Sequence, residues 1–215
     1  GSSRYGGFAG VISANAISNS HYNISGMTVN GSTGTMVTPY GLYNDVLNGS
    51  AVGQFSDWQA DGILNVADYS NVLPGGSGSY SIADLNGLKA LLGFSEDPAL
   101  TFMLTSTINL SALPGYYVPV LGANFDGGSF TISNLSVNLS ASDDLGLFGH
   151  VLSGTTVSNV SLLNATVNGS SHVGALVGLN EGDILNSNST NGVIAGSSVV
   201  GGLVGYNKNP YLWSV

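Results

Sequence analysis

The chain has no cysteine, and only 3 of its 215 residues are Lys or Arg. Without thiols it can build neither a disulfide scaffold nor a thiolate zinc site. Three basic residues cannot line a phosphate backbone, which argues against nucleic acid as a partner. Charged residues make up 7% of the chain, where an ordinary soluble domain has roughly 25%. No apolar run approaches the ~20 residues of a membrane-spanning helix, so no membrane insertion is expected. The 12 acids leave a net charge of −9, a balance that favours a secreted or surface location. The first residues, Gly1-Ser2-Ser3-Arg4, read as a cloning remnant, and the chain is expected to be cut from a longer protein.

What is present is unusual in another way. Hydrophobic residues reach 43%, and Gly, Ser and Asn together fill 85 positions. Val, Ile and Leu recur too regularly for disorder. Near the end, Val173-Gly174-Ala175-Leu176-Val177-Gly178-Leu179-Asn180 is followed by Val200-Gly201-Gly202-Leu203-Val204-Gly205-Tyr206-Asn207. Looser copies are Leu145-Gly146-Leu147-Phe148-Gly149 and Tyr5-Gly6-Gly7-Phe8-Ala9-Gly10. The closing glycines Gly149, Gly178 and Gly205 are 29 and 27 residues apart. A second motif recurs as Ile17-Ser18-Asn19, Ile132-Ser133-Asn134, Val157-Ser158-Asn159 and Ile184-Leu185-Asn186. Repeats of 20–30 residues mean a solenoid.

Short alternating runs such as Ile132, Leu135, Val137 and Leu139 predict strands, and Gly, Asn and Ser between them predict turns. The pattern predicts an all-β fold: a parallel β-helix whose stacked asparagines hydrogen-bond from coil to coil. Stacked charges at ~4.8 Å would repel, so scarcity of charge is a consequence of this architecture.

The segment Gly201-Gly202-Leu203-Val204-Gly205-Tyr206-Asn207 resembles the GLUG repeat of filamentous-haemagglutinin-like bacterial adhesins. Phe125-Asp126-Gly127-Gly128-Ser129-Phe130-Thr131-Ile132-Ser133-Asn134-Leu135 is similar to the element preceding such repeats, with Ser129-Phe130 where Gly-His is usual. Leu104-Thr105-Ser106-Thr107-Ile108-Asn109-Leu110-Ser111 resembles a further element upstream. The resemblance implies a right-handed parallel β-helix, a role in cell or matrix adhesion and biofilms, and two-partner secretion through an outer-membrane transporter. The implied partner is an extracellular glycan or a host or matrix surface, and the segment is expected to be monomeric.

The expected organisation is β-helix coils over 1–35, an aromatic-rich insertion or irregular coils over 36–99, and β-helix coils over 100–215. Ser81-Ile82-Ala83-Asp84 resembles a capping box, and Ile82, Leu85, Leu88, Leu91 and Leu92 share a helical face. They predict one short α-helix at about 82–92, packed on the side of the β-helix.

No set of residues predicts catalysis. The acids Asp126, Asp143, Asp144, Glu181 and Asp183 do not pair convincingly, and Lys89 and Lys208 fall outside their clusters. The chain is therefore read as a non-enzyme without a cofactor. Asp126, Asp143 and Asp144 are weak calcium candidates, with turn-capping as the commoner role. His21, His150 and His172 lack metal-ligand spacing and read as surface or turn residues. For carbohydrate, Trp58 with Asp57 and Asp61, and the pair Tyr116-Tyr117, are candidate stacking platforms; the alternative is that they cover the core. Sequons such as Asn134-Leu135-Ser136, Asn164-Ala165-Thr166 and Asn168-Gly169-Ser170 are numerous, as so much Asn and Ser would give by chance. A stalk or adhesion module is the leading reading; a carbohydrate-binding module and a polysaccharide-cleaving β-helix are the alternatives.

Overall fold

The computed structural model describes residues 28, 29, 32, 33 and 64–208. Residues 64–208 form a parallel β-solenoid of about four turns with one short α-helix. Its four-residue strands β7 (Val118–Leu121), β11 (Phe148–Val151), β16 (Val177–Asn180) and β21 (Val204–Asn207) stack in parallel as one sheet. Phe148 aligns with Val118, Val177 with Phe148 and Val204 with Val177, so successive coils take 30, 29 and 27 residues.

Within a coil the chain turns every five residues. After β11 come β12 (Thr156–Ser158), β13 (Ser161–Leu163), β14 (Thr166–Asn168) and β15 (Ser171–Val173). After β16 the same spacing gives β17 (Asp183–Leu185), β18 (Asn188–Thr190), β19 (Val193–Ala195) and β20 (Ser198–Val200). A three-residue strand points its middle side chain one way and its outer two the other. The middle residues Val157, Leu162 and Val167 are fully buried, and their outer neighbours, polar except for Leu163, face out. Coil stacking aligns them into columns: Phe125, Val157 and Ile184 form one, and Ile108, Ile132 and Leu162 another.

The corners explain the recurrent asparagine. Asn134, Asn159, Asn164, Asn186 and Asn191 all have φ between 48° and 58°. That left-handed conformation ends a strand sharply, and Asn tolerates it better than other side chains do. The residue after each of the first three, Leu135, Val160 and Ala165, turns back into the core.

The expected boundaries shift in two places. The β3 strand (Gly75–Gly76) and β4 (Ser79–Ile82) join the six-stranded sheet, where β4 pairs in parallel with β5 (Thr101–Leu104). The solenoid thus begins inside the stretch read as an insertion or irregular coils, and its β4 is such a coil strand. The helix α1 spans Leu85–Leu91, not 82–92. Strand pairing claims Ser81 and Ile82, and Asp84 becomes the N-cap, accepting hydrogen bonds from Asn86 N at 2.8 Å and Gly87 N at 3.0 Å. Leu88 and Leu91 then enter the common core, as packing against the solenoid requires. The expected coils at 1–35 lie almost wholly outside the described residues. Where they are described, β1 (Thr28–Val29) and β2 (Ser32–Thr33) pair antiparallel.

Candidate functional site

The candidate surface is built from what the coils stack side by side. Asparagine ladders run along it. Asn134 Nδ2 donates to Asn109 Oδ1 at 2.9 Å, and Asn164 Nδ2 to Asn134 Oδ1 at 3.4 Å. Asn168 donates to Asn138 at 2.8 Å, and Asn180 to Asn207 at 2.8 Å. Each bond joins one coil to the next, which is the arrangement the sequence predicts.

The few charges are used the same way. Lys208 Nζ donates to Glu181 Oε1 at 2.7 Å, and His150 Nε2 faces Glu181 Oε2 at 3.3 Å, off the line of a good hydrogen bond. The Lys208 hydrogen bond, aided by its charge and by His150, holds the Glu181 carboxyl below its ordinary range. Glu181 in turn raises the Lys208 ammonium above its ordinary range. On the neighbouring corner His172 Nδ1 lies 2.7 Å from Asp144 Oδ1, and the His172 ring stacks on Tyr206 with centroids 5.1 Å apart. Asp144 and His172 are both left-handed, with φ of 56° and 51°. One ion pair, Lys208–Glu181, and two imidazole–carboxylate contacts, His150–Glu181 and His172–Asp144, therefore join neighbouring coils around β11, β16 and β21.

Sequence reasoning left Lys208 outside the acidic clusters; the structure corrects this. The signal was available: Glu181 and Lys208 each follow a closing glycine, Gly178 or Gly205, by three residues and share their 27-residue spacing.

The earlier candidates fall elsewhere. Trp58, Asp57 and Asp61 lie outside the described residues, as does His21. Tyr116 and Tyr117 are 2% and 8% exposed, so their rings have no free face for a sugar. Tyr116 Oη donates to the Leu88 carbonyl at 2.7 Å, tying the helix to the solenoid. Burial also pushes the Tyr117 hydroxyl above its ordinary pKa. These two take the alternative role, covering the core. Asp126 accepts from Gly128 N at 2.9 Å and from Asn159 Nδ2 at 2.9 Å, a turn-capping role. Asp143 accepts from Ser171 N at 2.9 Å. Asp143 and Asp144 are thus turned to different partners, and among the described residues no three His, Asp or Glu side chains converge on a metal position.

What these ladders repeat is a coil. Part of halomucin resembles this chain. Halomucin, from Haloquadratum walsbyi (strain DSM 16790 / HBSQ001), is 32% identical over 127 residues, which is 52% of this chain and 1% of halomucin. This chain thus spans about 1% of the length of halomucin. No family model matches the chain, and no solved structure matches it.

Proposed function

We propose that this chain is a segment of a secreted or cell-surface repeat protein, in which stacked coils serve as a rigid stalk or adhesion module. The observation that carries this reading is the unbroken parallel register from β7 through β11 and β16 to β21. Coils joined at ~4.8 Å by backbone bonds and side-chain ladders make a unit that extends by adding repeats. The likeness to part of halomucin supports an extracellular repeat protein. The GLUG-like motifs refine it towards filamentous-haemagglutinin-like adhesins exported by an outer-membrane transporter, acting in cell adhesion or biofilm. The reading assigns the segment no catalysis and no cofactor. Weak contacts with a glycan or matrix surface would add through repetition along the parent protein.

A glycan array that includes bacterial exopolysaccharides tests it. A blank array with intact, cooperatively folded protein is the result expected of a stalk. Binding to one glycan class makes the segment an adhesive head. Release of reducing ends from any glycan on the panel would overturn the reading in favour of an enzyme. The carbohydrate-binding alternative has one observation behind it: Tyr206 is 42% exposed, beside His172. Binding that Tyr206→Ala abolishes without lowering the melting temperature would select that alternative.

A further inference from the structure

The described solenoid contains seven Asn-X-Ser/Thr tripeptides, opening at Asn109, Asn134, Asn138, Asn159, Asn164, Asn168 and Asn188. The fold divides them into two groups. At Asn134, Asn159 and Asn164 the tripeptide is a product of corner geometry. Asn takes the left-handed position, the next residue enters the core, and Ser or Thr opens the next strand. These three, and Asn168, spend Nδ2 on the neighbouring coil, donating to Asn109, Asp126, Asn134 and Asn138.

Asn109, Asn138 and Asn188 differ in the side-chain nitrogen, which donates to no neighbouring coil. All three are exposed, as Asn164 is, and none has a left-handed backbone, as Asn168 has none. Their side chains are held through Oδ1 alone: Asn109 accepts from Ser111 N and Asn134 Nδ2, Asn138 from Asn168 Nδ2, and Asn188 from Ser161 Oγ. The Oδ1 bonds fix each amide while its nitrogen is left to solvent. At Asn138 the whole tripeptide, with Leu139 and Ser140, is exposed.

We propose that Asn109, Asn138 and Asn188 are acceptor sites for N-linked oligosaccharide, and that the other four sequons are closed by coil stacking. The donor is a lipid-linked oligosaccharide and the catalyst an oligosaccharyltransferase. The bond from Nδ2 to the first sugar's C1 forms as the C1–O bond to the carrier phosphate breaks. The phosphate leaves with the electron pair, and Nδ2 gives its proton to a base of the transferase. A sugar on a ladder nitrogen would occupy the place of the preceding coil, which stacks at ~4.8 Å. Glycans at the three open sites would instead hydrate a surface that has few charges of its own.

The test treats the folded chain with a purified single-subunit oligosaccharyltransferase and its lipid-linked donor, and repeats the reaction on chain unfolded in urea and diluted. Site occupancy is read by glycopeptide mass spectrometry. Asn23, Asn30 and Asn48 open further sequons outside the described residues and are scored apart. The expected result is modification of all seven sites in the unfolded chain and of Asn109, Asn138 and Asn188 alone in the folded one. Ser140→Ala breaks the tripeptide at an exposed residue and keeps the Asn168–Asn138 ladder bond, so it should remove one glycan and leave the melting temperature unchanged. Modification of Asn134, Asn159, Asn164 or Asn168 at comparable occupancy in the folded chain overturns the proposal. So does failure of the three open sites to react when folded, or failure of every site to react when unfolded.

Discussion

Gly205 lies directly against the left-handed corner at His172: a Cβ on Gly205 would come within 2.5 Å of both the His172 carbonyl carbon and the Val173 nitrogen. Gly178 stands in the same relation to Asp144 and Leu145 one coil earlier, and more tightly. The closing glycine of the repeat is thus set by the corner it packs on. Because the obstruction is backbone, it cannot swing aside as a flexible side chain would.

Gly205→Ala and Gly178→Ala should therefore each destabilise the fold by about 1–3 kcal/mol or more, the range for overpacking. Gly202→Ala is the control, since nothing lies within 4 Å of a Cβ there. Its effect should stay within about 0.5 kcal/mol. Urea unfolding of the three variants measures this; equal losses at Gly202 and Gly205 would remove the close-packing account.

Asn134 carries two loads, a left-handed backbone with φ of 58° and a place in the middle of a ladder. Asn134→Gly keeps the backbone and loses the side-chain bonds, and should cost about 1 kcal/mol. Asn134→Ala loses both and should cost about 2–3 kcal/mol. If the Ala and Gly variants melt alike, the corner does not need left-handed tolerance.

These two positions show what the sequence makes legible. The recurrence of Gly178 and Gly205, and of Asn134, Asn159 and Asn186, predicts the solenoid because a coil repeats its corners. The exact side length was less visible. Strands start every five residues at Thr156, Ser161, Thr166 and Ser171, but Asn164 gives way to Gly169 at the next corner, so the short period is blurred. The helix start was misplaced because Ser81 and Asp84 both suit a cap, and only pairing of β4 with β5 decides between them. Tyr116 and Tyr117 have the flanking prolines of an exposed loop, yet their rings fill the core; burial of an aromatic depends on neighbours distant in sequence. The Glu181–Lys208 pair could be found only by applying the coil period to side chains outside the motif.

Tyr116→Phe tests how the helix is fastened. The hydroxyl donates to the Leu88 carbonyl at 2.7 Å in a buried setting. Removing it leaves that carbonyl with one partner fewer and should cost about 1–2 kcal/mol. Hydrogen exchange should speed up in Leu85–Leu91 more than in β12 or β13. Uniform acceleration across the solenoid would mean that the hydroxyl does not fasten the helix in particular.

The Glu181–Lys208 pair should make coil stacking depend on pH at both extremes. Lys208 holds the Glu181 carboxyl below its ordinary range, so its stabilisation is present above the ordinary carboxylate range and is lost as pH falls through the lowered value. Glu181 raises Lys208, so that stabilisation is present below the ordinary lysine range and is lost as pH rises through the raised value. The full effect therefore lies between the two ranges, from about pH 5 to about pH 10. Both groups meet solvent, so the gain is modest and screened by salt. Comparing melting of the wild type with Lys208→Met, both in a His150→Gln background, isolates the pair from the other partner of Glu181. The difference in melting temperature should be greatest across that window, shrink at either end, and fall in about 1 M salt, where the Debye length is about 3 Å. A difference that is flat from acid to alkaline pH would assign the Lys208 contribution to packing of its aliphatic stem instead of to its charge.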